Sequence, residues 1–194
     1  MRILCFLAIA LALFASQCAA QFFPREIVDK DGHEFNAKWY SSELEALREP
    51  SLFAQVNTSA PESYRFLWLR SFHHPIAIRM DIHSDGTSTL TAKMAVGGGC
   101  YDSCALLLNK IYTISKEETQ SSLQRVDKAG FWSAPTLAEE ETGSDGARWI
   151  IEGVKNGQYH VVDRWSPANG VARELGLMFA FGLARLQLSK DEIY

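Results

Sequence analysis

A run of alternating side chains between Tyr64 and Ile82 limits the fold of this chain more than any other feature. Eight of its ten even-numbered positions are apolar or aromatic, and this period of two predicts β-structure. One strand of that length would extend about 60 Å, whereas a domain of this size is only about 40 Å across. Because Pro75 cannot donate to a strand ladder, we expect a break there and two strands, at about 64–72 and 76–83.

The turn that follows residue 83 fixes the pairing of the next strand. A two-residue loop would set Met80 opposite the polar Thr91. A three-residue loop, with Gly86 in the left-handed conformation, sets Met80 opposite Leu90 and gathers apolar side chains on one face. The apolar match favours the three-residue loop.

A second hairpin is predicted at Asn156-Gly157, the pair most typical of a two-residue β-turn. The turn joins two β-like runs and sets their register by counting outwards. Three pairs follow from it: Lys155 with Gln158, Ile151 with Val162, and Trp149 with Arg164. Both faces of this hairpin carry apolar side chains, so we expect it to be covered at least partly on both sides.

Two longer helices are predicted after the first group of strands. Ser115 and Glu118 form a capping-box pattern before a helix at about 116–129, which Gly130 ends. The stretch at about 171–188 is apolar almost all round, which predicts a buried helix. Together with the strands, these helices predict an α+β fold. It consists of an antiparallel β-sheet of about five to seven strands with both helices packed on one face.

The segment before the first strand carries weaker signals. Residues 21–40 indicate short β-like pieces around a turn at Asp31-Gly32. In this interpretation Ser42 then begins a short helix, because Glu45 completes a capping box. Pro50 ends that helix.

The first twenty residues have the pattern of a secretory signal peptide, with a positive amino terminus, an apolar run and small residues before a cut after Ala20. The apolar run is too short for the ~30 Å core of a bilayer, and Gln17 disfavours lipid attachment at Cys18. We therefore expect a signal peptide at 1–20 and a single soluble α+β domain at 21–194. The mature domain should not insert into a membrane, and its location should be periplasmic or extracellular.

The acidic balance of the chain excludes one class of partner. The formal net charge is −4 at pH 7. The leader removes Arg2 and no acidic residue, so the mature part is slightly more acidic still. A protein of this charge has no electrostatic basis for binding nucleic acid.

Cys100 and Cys104 remain after the leader is removed, and we expect them to form a disulfide. They lie in the sequence GGGCYDSC, and a short loop can bring two such cysteines within bonding distance in an oxidising compartment. A redox-active pair is disfavoured, because its usual spacing is two residues. The histidines show no metal-ligand spacing, so we expect neither a metal nor a cofactor.

The strongest candidate for chemistry lies on the predicted Asn156-Gly157 hairpin. Arg148, Glu152 and Asp163 fall on one face of it, with Asp163 diagonal to the other two. Such a cluster is either an acid–base pair with shifted pKa values or a structural ion network, and we favour the network. The alternative is an envelope hydrolase whose catalytic residues are Glu152, Asp163 and His160.

Arg148, Arg164 and Trp149 are weaker candidates for ligand binding. Arg164 opposite Trp149 is more typical of a cation–π contact than of a substrate clamp. The chain has no G-x-S-x-G, H-E-x-x-H or phosphate-loop motif. The sequence therefore favours a non-enzymatic binding or accessory domain of the cell envelope or extracellular space. Its partner, a protein or a small molecule, would bind through the sheet face or the acidic loop at residues 133–146.

Overall fold

A six-stranded antiparallel sheet organises the fold in the computed structural model, which describes residues 22–29, 34–96, 105–138, 143 and 145–194. Its strands are β1 (Ser63–Arg70), β2 (Ile76–Ile82), β3 (Ser88–Ala95), β4 (Leu106–Ile114), β5 (Ala147–Lys155) and β6 (Gln158–Trp165). They lie in the order β4-β3-β2-β1-β5-β6. The predicted α+β fold and the break in the long alternating run are both confirmed.

Both hairpin registers follow the turn chemistry. Gly86 has a φ of 88°, and Met80 lies opposite Leu90, as the three-residue loop requires. Asn156 and Gly157 both have positive φ, and Lys155 lies opposite Gln158. The pairs of Ile151 with Val162 and of Trp149 with Arg164 are also formed as predicted.

The two longer helices pack on the same face of the sheet. Helix α3 (Lys116–Lys128) begins after Ser115, whose side chain accepts a hydrogen bond from the Glu118 amide. Helix α4 (Val171–Leu177) continues as a π-helical segment, Met178–Leu183, and so ends earlier than predicted. The apolar core beneath them includes these buried residues: Phe66, Trp68, Val126, Trp149, Leu175 and Phe179.

Gly176 lets helix α4 approach the sheet closely. A Cβ atom at this position would lie 2.5 Å from Cε3 of Trp149 and 3.0 Å from Cζ of Phe66. The glycine costs helix propensity, and in return the helix backbone rests directly on the aromatic core.

The opposite face of the sheet is covered by a layer that the sequence did not reveal. Its elements are α1 (Arg25–Val28), α2 (Phe35–Ala46) and a 3₁₀ turn at Phe53–Gln55. The prediction of β-like pieces in residues 21–40 was wrong where the structure describes them, and the Asp31-Gly32 turn lies outside the described residues. Leu44, Leu47 and Phe23 are buried in the second core, between this layer and the sheet.

The predicted helix start at Ser42 was also wrong, because that residue lies inside α2. Its hydroxyl donates back to the Trp39 carbonyl at 2.7 Å instead of capping a helix terminus. Ser41 bonds to the Ala37 carbonyl in the same way. Serines that bond to the preceding turn are compatible with a helix interior, so the capping-box pattern at this site was coincidental.

The C-terminal segment closes the end of the α3–α4 layer. A 3₁₀ turn at Lys190–Glu192 is followed by Tyr194, whose carbonyl accepts a 2.7 Å hydrogen bond from Nε1 of Trp149.

Among the described residues, there is no helix with the length and apolar character that a membrane crossing demands.

Candidate functional site

Glu152 and Asp163, the two predicted catalytic carboxylates, are both completely buried and belong to separate clusters. Glu152 accepts a 2.7 Å hydrogen bond from Nε of Arg65 on β1 and another of 2.8 Å from the Tyr159 hydroxyl. Desolvation raises the pKa of Glu152, and the charge of Arg65 opposes that shift. The hydrogen bonds to the Glu152 carboxylate all come from protein donors, as expected of a structural ion pair.

The Arg65–Glu152 pair belongs to a larger ion network between the sheet and the N-terminal layer. Glu49, whose side chain is almost fully buried, lies 2.8 Å from Nε of Arg79 and 2.7 Å from Nζ of Lys93. Arg65 also donates to the Pro50 carbonyl at 2.7 Å. The charges of this network therefore fasten the chain around residues 48–50 to β1, β2 and β3.

Asp163 is held by residues of two layers. The Tyr40 hydroxyl of α2 donates a 2.6 Å hydrogen bond to it, and Nη1 of Arg148 lies 3.3 Å from its other oxygen. Burial raises the pKa of Asp163 against the effect of Arg148. The structure thus brings Arg148 and Asp163 together, while Glu152 pairs with Arg65.

His160 lies on the opposite face of the sheet from Glu152 and Asp163. Its Nε2 lies 3.0 Å from the Ala134 carbonyl, and its ring packs against Phe131 and Trp132. Burial lowers the pKa of His160. Since neighbouring positions of a strand face opposite ways, the three proposed catalytic residues do not form one site.

The candidate ligand-binding residues on the hairpin are engaged inside the protein. Arg164 donates to the carbonyls of Pro135 and Thr136. The cation over the Trp149 ring is the guanidinium of Arg173, 4.6 Å from the ring centroid, so the expected contact with Arg164 was wrong. Trp149 is itself completely buried, and the ring beneath Arg148 is that of Trp165.

Two sequence predictions lie outside the described residues. These are the Cys100–Cys104 disulfide and the part of the acidic loop (133–146) that carries Glu139, Glu140 and Glu141. Within the described part of the chain, no group of three or more histidine, cysteine, aspartate or glutamate side chains is arranged to hold a metal ion.

A groove of about 400 Å³ opens at one end of the sheet, between helix α2 and the loop that joins β1 to β2. Helix α2 contributes Trp39 and Glu43 to its lining. The remaining lining residues are consecutive: Leu69, Arg70, Ser71, Phe72, His73, His74 and Pro75. The break that Pro75 imposes on the long alternating run therefore forms one wall of this groove.

The β1–β2 loop holds a large aromatic side chain in solvent on a backbone with several attachments. The Phe72 side chain is 70% exposed, whereas its amide donates a 3.1 Å hydrogen bond to the Tyr194 hydroxyl. The Ser71 amide donates to the Gly146 carbonyl, and Nη2 of Arg70 donates to the His74 carbonyl. These bonds present the phenyl ring at the rim of the groove on a fixed backbone.

Glu43 gives the groove a buried carboxylate. The residue is only 8% exposed, and its Oε1 accepts a 3.2 Å hydrogen bond from Nε1 of Trp39, one helical turn earlier. Burial raises the pKa of Glu43, and the bond from Trp39 partly opposes that shift. A second exposed aromatic, Phe35, lies one further turn back with its ring centroid 6.0 Å from that of Trp39.

Sequence reasoning missed this groove, although part of its signal was present. Phe35, Trp39 and Glu43 follow one another at intervals of four, which places them on one face of a helix. That signal depends on recognising the helix, whereas the pattern of residues 21–40 indicates β-like pieces. The opposite wall was recognised only as a strand break.

Comparison with known proteins adds no functional assignment. No protein-family model matches the chain, and no curated protein shows significant similarity to it.

Proposed function

We propose that this chain is an exported, non-enzymatic binding domain that holds its ligand or partner in the groove between helix α2 and the β1–β2 loop. The observation that carries the proposal is the Phe72 side chain, which stands 70% exposed beside a groove of about 400 Å³. Exposed aromatic residues on a fixed backbone are typical anchors of binding sites.

The buried state of the two hairpin carboxylates favours binding over hydrolysis. Glu152 and Asp163 have no exposed surface, and each already accepts hydrogen bonds from an arginine and a tyrosine. A general acid or base must come within hydrogen-bond reach of the substrate. At either position this would require the N-terminal layer to separate from the sheet.

The leader supports the export part of the proposal. Residues 1–20 have the pattern of a signal peptide, so the exported protein should begin at Gln21 and carry no lipid. Intact-mass measurement of protein from the envelope or medium tests this, and a retained leader or a lipid on Cys18 would contradict it.

Thiol labelling of the same denatured, unreduced sample should find Cys100 and Cys104 unreactive if they are bonded to each other.

A comparison of three immobilised proteins tests the groove. Wild type, Phe72→Ala and Ile111→Ala would be exposed to the same envelope or medium fraction, and the retained components compared by mass spectrometry. Ile111 is the matched control, because it is also a large apolar residue, 65% exposed, on β4. Neither substitution should alter folding, since both side chains are mostly in solvent.

We expect wild type and Ile111→Ala to retain a component that Phe72→Ala loses. The reverse pattern, with loss only in Ile111→Ala, would move the binding surface to the edge strand β4. If all three proteins retain the same set of components, the groove is not the binding site and the proposal is wrong.

A further inference from the structure

The carboxylate of Glu43 is buried in the groove without a compensating cation. Its hydrogen bond from the Trp39 indole is neutral, and among the described residues Glu43 forms no ion pair. Desolvating a charge that has no ionic partner is costly, and a carboxylate with a perturbed pKa in a cleft is a candidate for a functional role.

We propose that the groove binds the primary ammonium group of a lysine side chain on a partner protein, with Glu43 as its counter-ion and Trp39 and Phe72 as its aromatic walls. This inference rests on the proposed binding function of the same groove and adds the chemical class of the ligand. A cation next to aromatic rings is attracted electrostatically by the quadrupoles of the rings. A buried carboxylate gains a charge-assisted hydrogen bond from the same ligand.

The hydrogen-bonding state of Glu43 favours an ammonium over other cations. A quaternary ammonium has no N–H to donate, so it would add no hydrogen bond to the Glu43 carboxylate. A guanidinium binds best when both carboxylate oxygens are free for its planar fork, and Oε1 of Glu43 is already used by Trp39. A primary ammonium donates its hydrogen bonds from a single nitrogen atom, so it can bind Oε2 of Glu43 without displacing Trp39 from Oε1.

The arginine in the lining does not neutralise this carboxylate. The Arg70 guanidinium lies 4.8 Å from the centroid of the Trp68 ring and 3.5 Å from the Glu192 carboxylate. It also donates to the His74 carbonyl. Trp68 and Glu192 belong to the α3–α4 side of the sheet, whereas Glu43 projects from the other layer. Arg70 thus lines the groove but does not act on Glu43, and the place of an ammonium beside this carboxylate is not taken by another described residue.

Short blocked peptides test this inference by titration calorimetry against the purified exported protein. The probe is acetyl-Gly-Gly-Lys-Gly-Gly-amide, and its neutral isostere replaces lysine with norleucine. An arginine peptide and choline chloride form two further arms. We expect the lysine peptide to bind at least about tenfold more tightly than the norleucine, arginine and choline probes, a ratio that corresponds to ~1.4 kcal/mol.

The variants assign that preference to the groove. Glu43→Gln should abolish the preference for lysine over norleucine, and Phe72→Ala should weaken binding of the lysine peptide. Glu45→Gln is the matched control, since it makes the same charge change at an exposed position of the same helix and should leave binding unchanged.

Several results would overturn the inference. They are equal binding of lysine and norleucine peptides, tighter binding of the arginine peptide or of choline, and a lysine preference that survives Glu43→Gln. If the lysine preference is absent while Phe72→Ala still loses a retained envelope component, the ligand class is wrong and the binding function stands. If Phe72→Ala loses no component either, both proposals fail.

Discussion

Arg65 on β1 lies directly opposite Glu152 on β5, and both side chains are completely excluded from solvent. The pair is not isolated, because Arg65 also donates to the Pro50 carbonyl and Tyr159 donates to Glu152. Arg65 thus connects the sheet to the N-terminal layer. We therefore expect this contact to contribute to the stability of the layer that forms one wall of the groove.

Arg65→Met should lower the free energy of unfolding by about 3–5 kcal/mol, because it leaves the Glu152 carboxylate buried without its cation. Urea unfolding followed by circular dichroism measures the change. Arg25→Met is the control, since the Arg25–Glu34 pair lies at the surface and should contribute little. A similar, small effect of both substitutions would show that the buried pair is not structural.

Asp163→Asn should cost about 1–3 kcal/mol of stability, because one amide oxygen must replace a carboxylate that accepts from both Tyr40 and Arg148. Thermal unfolding measures this loss, with the exposed Asp127→Asn as control. A variant of Asp163 at least as stable as wild type would indicate a strained, functional carboxylate and would favour the hydrolase.

Two glycines of one helical stretch should respond in opposite ways to alanine. Gly176→Ala should destabilise the protein by about 1–3 kcal/mol, because its Cβ would collide with the Trp149 ring. At Gly182 the nearest atom to a new Cβ is Cγ of Met178, at 3.9 Å. Gly182→Ala should therefore be neutral or stabilise by up to about 1 kcal/mol. Chemical denaturation of both variants checks the pair, and equal losses would contradict the close packing of α4.

Glu43→Gln should stabilise the protein at neutral pH, by less than about 1 kcal/mol because the carboxylate lines a groove that is open to solvent. Burial raises the pKa of Glu43, so the folded state binds its proton more tightly than the unfolded state does. The Glu43 carboxylate therefore destabilises the folded state progressively as the pH rises from 4.5 through its raised pKa, and the glutamine variant lacks this contribution. Melting curves between pH 4 and pH 7 should show the advantage of the variant vanish on acidification. If the difference in melting temperature between the two proteins is the same at every pH, ionisation of the Glu43 carboxylate is not the cause of that difference.

The hairpins could be predicted from sequence because their determinants are local. Asn156-Gly157 and Gly86 each specify a turn, and a turn of known length fixes every pair that follows it along the two strands. The start of α3 could be predicted for the same reason, since Ser115 and the Glu118 amide lie within one helical turn. In each case the residues that decide the structure are neighbours along the chain.

The pairing of β1 with β5 and the position of α2 could not be predicted in this way. Arg65 and Glu152 are far apart along the chain, and no turn connects their strands. The amphipathic pattern of helix α2 is blurred, because Glu43 lies on its buried side while Phe35 is exposed. The helix is held by tertiary contacts, among them the bond from Tyr40 to Asp163. The groove depends on both arrangements, because α2 forms one wall and the end of β1 leads into the other.

The strand order has a consequence for how the chain reaches its native state. β1 to β4 pair in succession along the chain, but β1 obtains its second neighbour only when β5 docks, with Arg70 opposite Ala147 and Ser63 opposite Val154. Until that docking, the hydrogen-bonding edge of β1 and its apolar side chains stay open, and closing so long a loop is slow. An emerging chain therefore passes through a period in which this edge can pair with another molecule. Chaperone protection would matter most between the synthesis of β1 and the arrival of β5.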